Sequence, residues 1–133
     1  MIKELILRDL EMPRTNKLGE EIRWICDSLG LVKGRDIEDT SFRIMKGLLY
    51  EFKKTDILSS EDLAKLLNLE QQTVNHHFRN FINSGVIVRE KRKVVLRGGS
   101  LTAAVQEMQR DSERTFKRIL EIARKIDKSL GFL

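Results

Sequence analysis

The chain has 133 residues, of which 41% are hydrophobic and 34% are charged, and its net charge is +5. This length fits one compact domain, or one domain with an appended helix, and the hydrophobic content is too high for a disordered chain. No apolar run approaches the roughly 20 residues that cross a bilayer, and no signal-peptide pattern is present, so we expect a cytoplasmic protein without membrane contact. The single cysteine, Cys26, excludes an intramolecular disulfide and a cysteine cluster for zinc within one chain.

Two apolar patterns at helical spacing predict a helical extension over residues 1–38. The first contains Ile2, Leu5, Ile6 and Leu10, and Pro13 stops it. The second ends at Gly30 and consists of Leu18, Ile22, Ile25, Cys26 and Leu29. Because Cys26 lies on this second stripe, we interpret it as a small core residue rather than a reactive thiol.

Three further helices are predicted between residues 39 and 85. One begins near Asp39 or Thr40 and runs to about residue 54, and its apolar face contains Phe42, Met45, Leu48, Leu49 and Phe52. A second, short helix begins with a capping-box-like pattern at Ser59 and ends near Asn68. A third follows almost at once, over residues 70–84, and ends at Gly85. Two short helices joined by a tight turn are typical of a helix-turn-helix.

The two sides of the predicted helix 70–84 differ in chemistry. Its apolar side consists of Val74, Phe78, Phe81 and Ile82, and its polar side consists of Gln72, Thr73, His76, Arg79 and Asn80. Amide and guanidinium groups can make paired hydrogen bonds to adenine and guanine edges in the major groove of DNA. The alternative is an ordinary solvated face, but the basic segment that follows favours a helix that faces nucleic acid.

That basic segment, residues 86–99, carries five basic side chains and one acidic side chain. The basic residues are Arg89, Lys91, Arg92, Lys93 and Arg97. β-Branched residues on either side of a turn at 90–93 predict a β-hairpin, although the turn lacks an Asn-Gly or Asp-Gly pair. A solvated basic loop is the alternative. A cationic hairpin directly after a recognition helix is the arrangement of a winged helix, whose wing over residues 86–97 lies on phosphates or in the minor groove.

The segment from Leu69 through Thr73-Val74-Asn75-His76-His77-Phe78 to Ser84-Gly85-Val86-Ile87 resembles the recognition-helix signature of ArsR-type winged-helix regulators. The preceding segment, Leu58 to Ala64, resembles the helix before it, and the similarity covers residues 40–97. The resemblance implies DNA contacts by Gln71, Gln72, Thr73, Asn75 and His76. The residue chemistry adds Arg79, Arg89, Lys91, Arg92 and Lys93. For His77, beside the apolar stripe, we favour a structural role.

Metal-sensing members of that family carry paired cysteines or histidine–carboxylate sets, which this sequence lacks. Neighbouring residues of a helix point about 100° apart, so His76 and His77 do not readily bind one ion together. We therefore expect no metal and no other cofactor, and the sequence names no effector. It also lacks a phosphate-binding glycine loop and a nucleophile elbow, so we expect no enzymatic activity.

The last third of the chain predicts one long helix, because residues 101–130 contain neither proline nor glycine. Its apolar positions alternate at spacings of three and four, which is typical of a seam that packs against another helix. The helix spans about 45 Å, more than a small domain covers, so we expect a homodimer. The predicted dimerisation residues are Leu101, Val105, Met108, Phe116, Ile119, Ile122 and Ile126. The alternative is that this helix packs back on its own domain.

The sequence thus predicts a mainly α protein with a small β-hairpin. It has an N-terminal helical extension (1–38), a winged helix-turn-helix (39–99) and a long C-terminal dimerisation helix (100–133). The favoured function is a homodimeric regulator of transcription that binds double-stranded DNA. The competing hypothesis is a winged-helix module that docks protein or binds RNA within a larger assembly.

Overall fold

The computed structural model describes residues 2–32 and 39–132, so the predicted boundary at residue 38 lies outside the described residues. Within these ranges the chain forms five α-helices and three short strands. In chain order they are α1 (Leu18–Ser28), α2 (Thr40–Glu51), β1 (Leu58–Ser59), α3 (Ser60–Leu67), α4 (Gln71–Ser84), β2 (Ile87–Glu90), β3 (Lys93–Leu96) and α5 (Leu101–Leu130). This order confirms the predicted mainly helical fold with a hairpin after α4 and a long C-terminal helix.

A single hydrophobic core joins α1–α4, the strands and the start of α5. Its largest fully buried side chains include Phe78 and Phe81 from α4 and Leu63 from α3. On α2, Met45 and Leu48 are buried as predicted. Ile44, which the predicted apolar face did not include, is also fully buried.

The three strands form an antiparallel sheet in the order β1-β3-β2. The hairpin β2–β3 was predicted, whereas β1, which pairs Leu58 with Val94, was not. Glu90 pairs with Lys93, so the turn has only two residues. Lys91 takes up the left-handed conformation, with φ 60°, that glycine or asparagine usually supplies. This conformation costs a lysine about 1 kcal/mol.

The helix predicted around Ile2 and Leu10 does not form, and residues 2–17 instead run as an irregular N-terminal arm. The arm's backbone N–H groups pair with carbonyls at helix ends: Lys3 donates to Asn83 O at 2.7 Å and Arg8 to Ser28 O at 2.8 Å. Those carbonyls have no partner within their own helices. An isolated helix of ten residues is only marginally stable in water, so these tertiary hydrogen bonds decide the conformation.

The arm also covers part of α1. The indole of Trp24 donates to the carbonyl oxygen of Glu11 at 2.6 Å, so the arm supplies the neighbour for this half-buried side chain. On the opposite side of α1, Ile22, Cys26 and Leu29 enter the core as predicted, and Ile25 packs against it. Leu18, the first residue of the predicted stripe, is instead exposed, because it lies at the start of the helix beyond the edge of the core. The left-handed Gly30, with φ 61°, follows that helix.

Cys26 is fully buried, and its burial raises the pKa of the thiol to about 12. Since the thiolate is the reactive form, we expect alkylation by iodoacetamide at pH 8 to be roughly a thousandfold slower in the folded protein than in the unfolded chain. Mass spectrometry of timed samples, with and without denaturant, measures both rates. Equal rates would contradict the interpretation of Cys26 as a core residue.

The long helix α5 has two different halves. Ser100 caps it by accepting a hydrogen bond from the N–H of Ala103 at 3.1 Å. Its first three turns pack on the domain: Ala104, Met108 and Asp111 are buried, and Leu101 and Val105 pack against the core. The first half of α5 therefore packs back on its own domain, which was the alternative to dimerisation. Leu101, Val105 and Met108, predicted as dimerisation residues, belong to this half. The distal half, residues 116–130, leaves its apolar side chains largely exposed. No helix in the described ranges is both long and apolar enough to cross a membrane.

Candidate nucleic-acid interface

The orientation of α4 is fixed by three side chains on its apolar side, Val74, Phe78 and Phe81, which are all fully buried. Its start is held against α3, because the side-chain amide of Gln71 donates to the hydroxyl of Ser60 at 3.3 Å. Its end is marked by Gly85, which has φ 92°. The polar side of the helix therefore has one defined direction, away from the core.

Four of the predicted DNA-contacting residues of α4 are exposed: Gln71, Gln72, His76 and Arg79. Gln72, His76 and Arg79 lie on one side of the helix, because residues three and four apart share a face. Thr73 and Asn75 are half-buried on its two flanks. The exposed side offers an amide, an imidazole and a guanidinium, which together can donate to and accept from base edges.

The two adjacent histidines are placed differently. His77 is half-buried and its ring centroid lies 6.4 Å from that of Phe81, next to the core. His76 is exposed, and the two imidazoles meet edge to face at 5.2 Å. Over residues 2–32 and 39–132, no group of three or more His, Cys, Asp or Glu side chains is arranged to hold a metal ion.

The hairpin that follows α4 carries exposed cations along its tip. Arg89 lies on β2, Lys91 and Arg92 form the turn, and Lys93 begins β3. All four side chains are exposed, and Glu90 is the acidic residue among them. The hairpin therefore presents a concentrated positive charge next to α4, and such charge attracts a polyanion.

Arg97, the fifth cation of this segment, is not part of that surface. Its side chain is only 14% exposed, and it donates to Asp111 Oδ2 at 2.6 Å and lies 3.7 Å from Glu107. Its charge is therefore offset inside the protein. Within residues 86–99, the excess charge available to a partner therefore belongs to the four basic residues of the hairpin tip.

Asp111 joins three parts of the chain, although nothing in the sequence singled it out. Its buried carboxylate accepts hydrogen bonds from Arg97, from Arg114 and, at 3.0 Å, from the N–H of Ile2. The Arg97 guanidinium holds the pKa of the Asp111 carboxyl below its usual value, against the opposing effect of burial. The only signal in the sequence is spacing, since Asp111 follows Met108 by three residues and so shares its buried side.

The comparison with known proteins agrees with this geometry. No curated protein and no solved structure matches the chain. Residues 42–88, which run from α2 into β2, match the family model described as winged helix-turn-helix DNA-binding. This part of the chain is therefore similar to that DNA-binding family, and the arrangement of its helices and hairpin is that of a winged helix-turn-helix.

Proposed function

We propose that the protein is a homodimeric, sequence-specific regulator of transcription of the ArsR-like type. In this proposal residues 39–99 bind double-stranded DNA, and residues 1–38 support the dimer. Within residues 100–133 the exposed distal half dimerises, because Leu101, Val105 and Met108 of the predicted dimerisation set belong to the protein's own core. The observation that carries the proposal is the exposed polar side of α4, formed by Gln72, His76 and Arg79, followed directly by the cationic hairpin tip.

The two surfaces have different tasks. Gln72 and Arg79 on α4 enter the major groove, where an amide matches adenine and a guanidinium matches guanine, and each good pair discriminates by about 1–3 kcal/mol. The hairpin cations lie on phosphates or in the minor groove. They add affinity and orientation without reading bases in the major groove.

A dimer gives this domain its specificity for a longer site. Two recognition helices related by a two-fold axis fit successive major grooves when they lie about 34 Å apart. We therefore expect a pseudopalindromic DNA site. The exposed apolar residues of distal α5, such as Phe116 and Ile119, support self-association because a patch of this kind is usually covered.

Substitution of Gln72 and of Arg92 separates base reading from phosphate binding. After selection of a preferred duplex from a random pool, Gln72→Ala is expected to lose roughly tenfold or more of its discrimination at one base pair. Arg92→Ala is expected to weaken all duplexes by a similar factor and to lower the salt slope of binding by about one. Fluorescence anisotropy over a salt series measures both effects. Arg124→Ala, which removes an exposed cation from distal α5, is the control and should change neither.

Two results would contradict the proposal. One is duplex binding that does not respond to ionic strength, and the other is the absence of preference for any selected site over random duplex. A single-stranded RNA of the same length, used as competitor, tests the alternative class. Stronger binding to that RNA than to every duplex would favour an RNA-binding module instead.

A further inference from the structure

An open groove of about 360 Å³ lies between α2 and α3, and we refer to it as the α2–α3 groove. Its walls are one side of α2 over residues 43–51 and the leucines of α3 within residues 63–67. Eight residues of helix separate the two ends of the α2 wall, which gives the groove a length of about 12 Å. These residues have no part in the proposed DNA and dimer surfaces.

The floor and the rims of the α2–α3 groove are apolar. Leu63 is fully buried, and a methyl group added to Gly47 would lie 3.2 Å from the Leu67 side chain and 3.3 Å from that of Leu63. A glycine inside a helix costs about 1 kcal/mol relative to alanine, and here it permits the close approach of the α3 leucines. On the rims, Tyr50 is 42% exposed and Leu66 is 59% exposed. Large apolar side chains beside a groove are typical of a surface that a partner covers.

Two cations, Arg43 and Lys46, line the same groove. The Arg43 guanidinium donates to the carbonyl oxygen of the last residue of α3 at 3.1 Å, and with five N–H donors it can bind a carboxylate beside this bond. The ammonium of Lys46 lies 5.8 Å from the centroid of the Tyr50 ring. Glu51, the acidic residue of the groove, lies 3.4 Å from the ammonium of Lys54, so its charge is offset. The α2–α3 groove therefore combines an apolar floor with an excess of positive charge.

These charges do not favour a second copy of this chain as the occupant. Two α2–α3 grooves facing each other would bring the cations of both copies together, where like charges repel. The uncovered amphipathic helix of this chain, distal α5, is basic as well, because residues 116–130 carry five basic and two acidic side chains. The groove instead complements an apolar helix face that has acidic residues beside it.

The shape of the α2–α3 groove favours a helix over a small molecule. Sites for small molecules usually enclose most of the ligand's surface, whereas this groove is open along its length between Tyr50 and Leu66. Its length corresponds to about two turns of a helix, over which an amphipathic segment places apolar side chains at positions i, i+3, i+4 and i+7.

We propose that the α2–α3 groove binds an acidic amphipathic helix of another protein. The apolar side chains of that helix rest on the floor between Gly47 and Leu66, and the carboxylates beside them pair with Arg43 and Lys46. The protein then has a surface for a protein partner in addition to its proposed surface for DNA. This inference does not depend on whether the chain dimerises or binds a duplex.

A fluorescent synthetic helix tests the inference on the full-length protein. The probe has about 16 residues, with leucines at positions i, i+3, i+4 and i+7 and with glutamates on the flanks of that face. We expect fluorescence anisotropy to give a dissociation constant of about 1–100 μM. In two control probes, lysines replace the glutamates or serines replace the leucines, and each should bind roughly tenfold more weakly or worse.

Lys46→Glu and Leu66→Gln assign this binding to the α2–α3 groove. Lys46 is half-buried and Leu66 is exposed, so neither substitution removes a core side chain, and circular dichroism checks that both variants fold. Each is expected to weaken binding of the acidic helix roughly tenfold. Lys125→Glu makes the same charge change on distal α5, whose exposed apolar side chains are the other place where such a helix could bind. This control should leave the affinity within about twofold.

Four results would overturn the inference. The first is that the acidic helix does not bind at about 1 mM, and the second is that Lys125→Glu weakens its binding as much as Lys46→Glu does. The third is that Lys46→Glu weakens duplex binding more than Lys125→Glu does, which would mean that the cations of the α2–α3 groove face DNA. The fourth is that octanoate, a small apolar anion, occupies the groove more tightly than the helix. Binding of the parent protein to a duplex is measured separately and decides the proposed function.

Discussion

Gly85→Ala is expected to destabilise the folded protein by about 3 kcal/mol. Gly85 ends α4 with φ 92°, a conformation in which alanine is strained. The added methyl group would also lie 2.8 Å from the Ile2 side chain and 3.0 Å from the Arg97 guanidinium. The arm, the base of the hairpin and α5 meet at this point, so a shift of any one disturbs the others.

Gly99→Ala is the matched control for this prediction. Gly99 has φ 88°, but nothing lies within 4 Å of the added methyl group, so only the backbone strain of about 1 kcal/mol remains. Urea unfolding followed by circular dichroism measures both variants. Equal losses of stability would mean that the crowding around Gly85 is relieved without cost.

Asp111→Asn is expected to cost about 3 kcal/mol of stability at neutral pH. The substitution removes the carboxylate that accepts from Arg97, while the Arg97 side chain remains only 14% exposed. A partly buried guanidinium without its charged partner is destabilising. Glu113→Gln, which neutralises an exposed carboxylate on the same helix, is the control and should change stability by less than about 0.5 kcal/mol.

The same substitution has a pH signature whose sign follows from the lowered pKa of Asp111. A carboxyl group with a lowered pKa in the folded state contributes stability that is complete above its unfolded pKa of about 3.9. That contribution is lost as the pH falls through the lower, folded value. The stability difference between the parent protein and Asp111→Asn should therefore be constant above about pH 5 and shrink in acid. A difference that grew in acid would contradict the assignment.

Most helices were predictable because their signals are local. The Ser59 hydroxyl accepts from the N–H of Asp62 at 3.0 Å, as the capping pattern indicates, and Gly85 and Ser100 mark the ends of α4 and α5 as predicted. The prediction of a helix in the N-terminal arm was wrong because the arm's conformation depends on contacts with distant parts of the chain. The spacing of Ile2 and Leu5 fits a helix, but hydrogen bonds to carbonyls far along the chain determine its path.

In the candidate site, too, the features that follow from local sequence were predictable and those that depend on tertiary packing were not. The exposed side of α4, with Gln72 and His76, follows from helical periodicity once the buried side is recognised. The pairing of Arg97 with Asp111 does not, because it depends on how α5 packs against the hairpin and involves no short motif. In the sequence alone, Arg97 is therefore indistinguishable from the exposed cations of the hairpin tip.

The short connection between the hairpin and α5 couples the position of α5 to the hairpin, which carries part of the proposed DNA-binding surface. Only residues 97–100 separate β3 from α5, and Arg97 ties the hairpin base to Asp111 on that helix. Beyond Ser112, α5 extends for about 27 Å, so a tilt of the helix by 10° at Ser112 displaces its C-terminal end by about 5 Å. A force applied near the C-terminal end of α5 therefore changes the orientation of the cationic hairpin more effectively than the same force applied near Ser112.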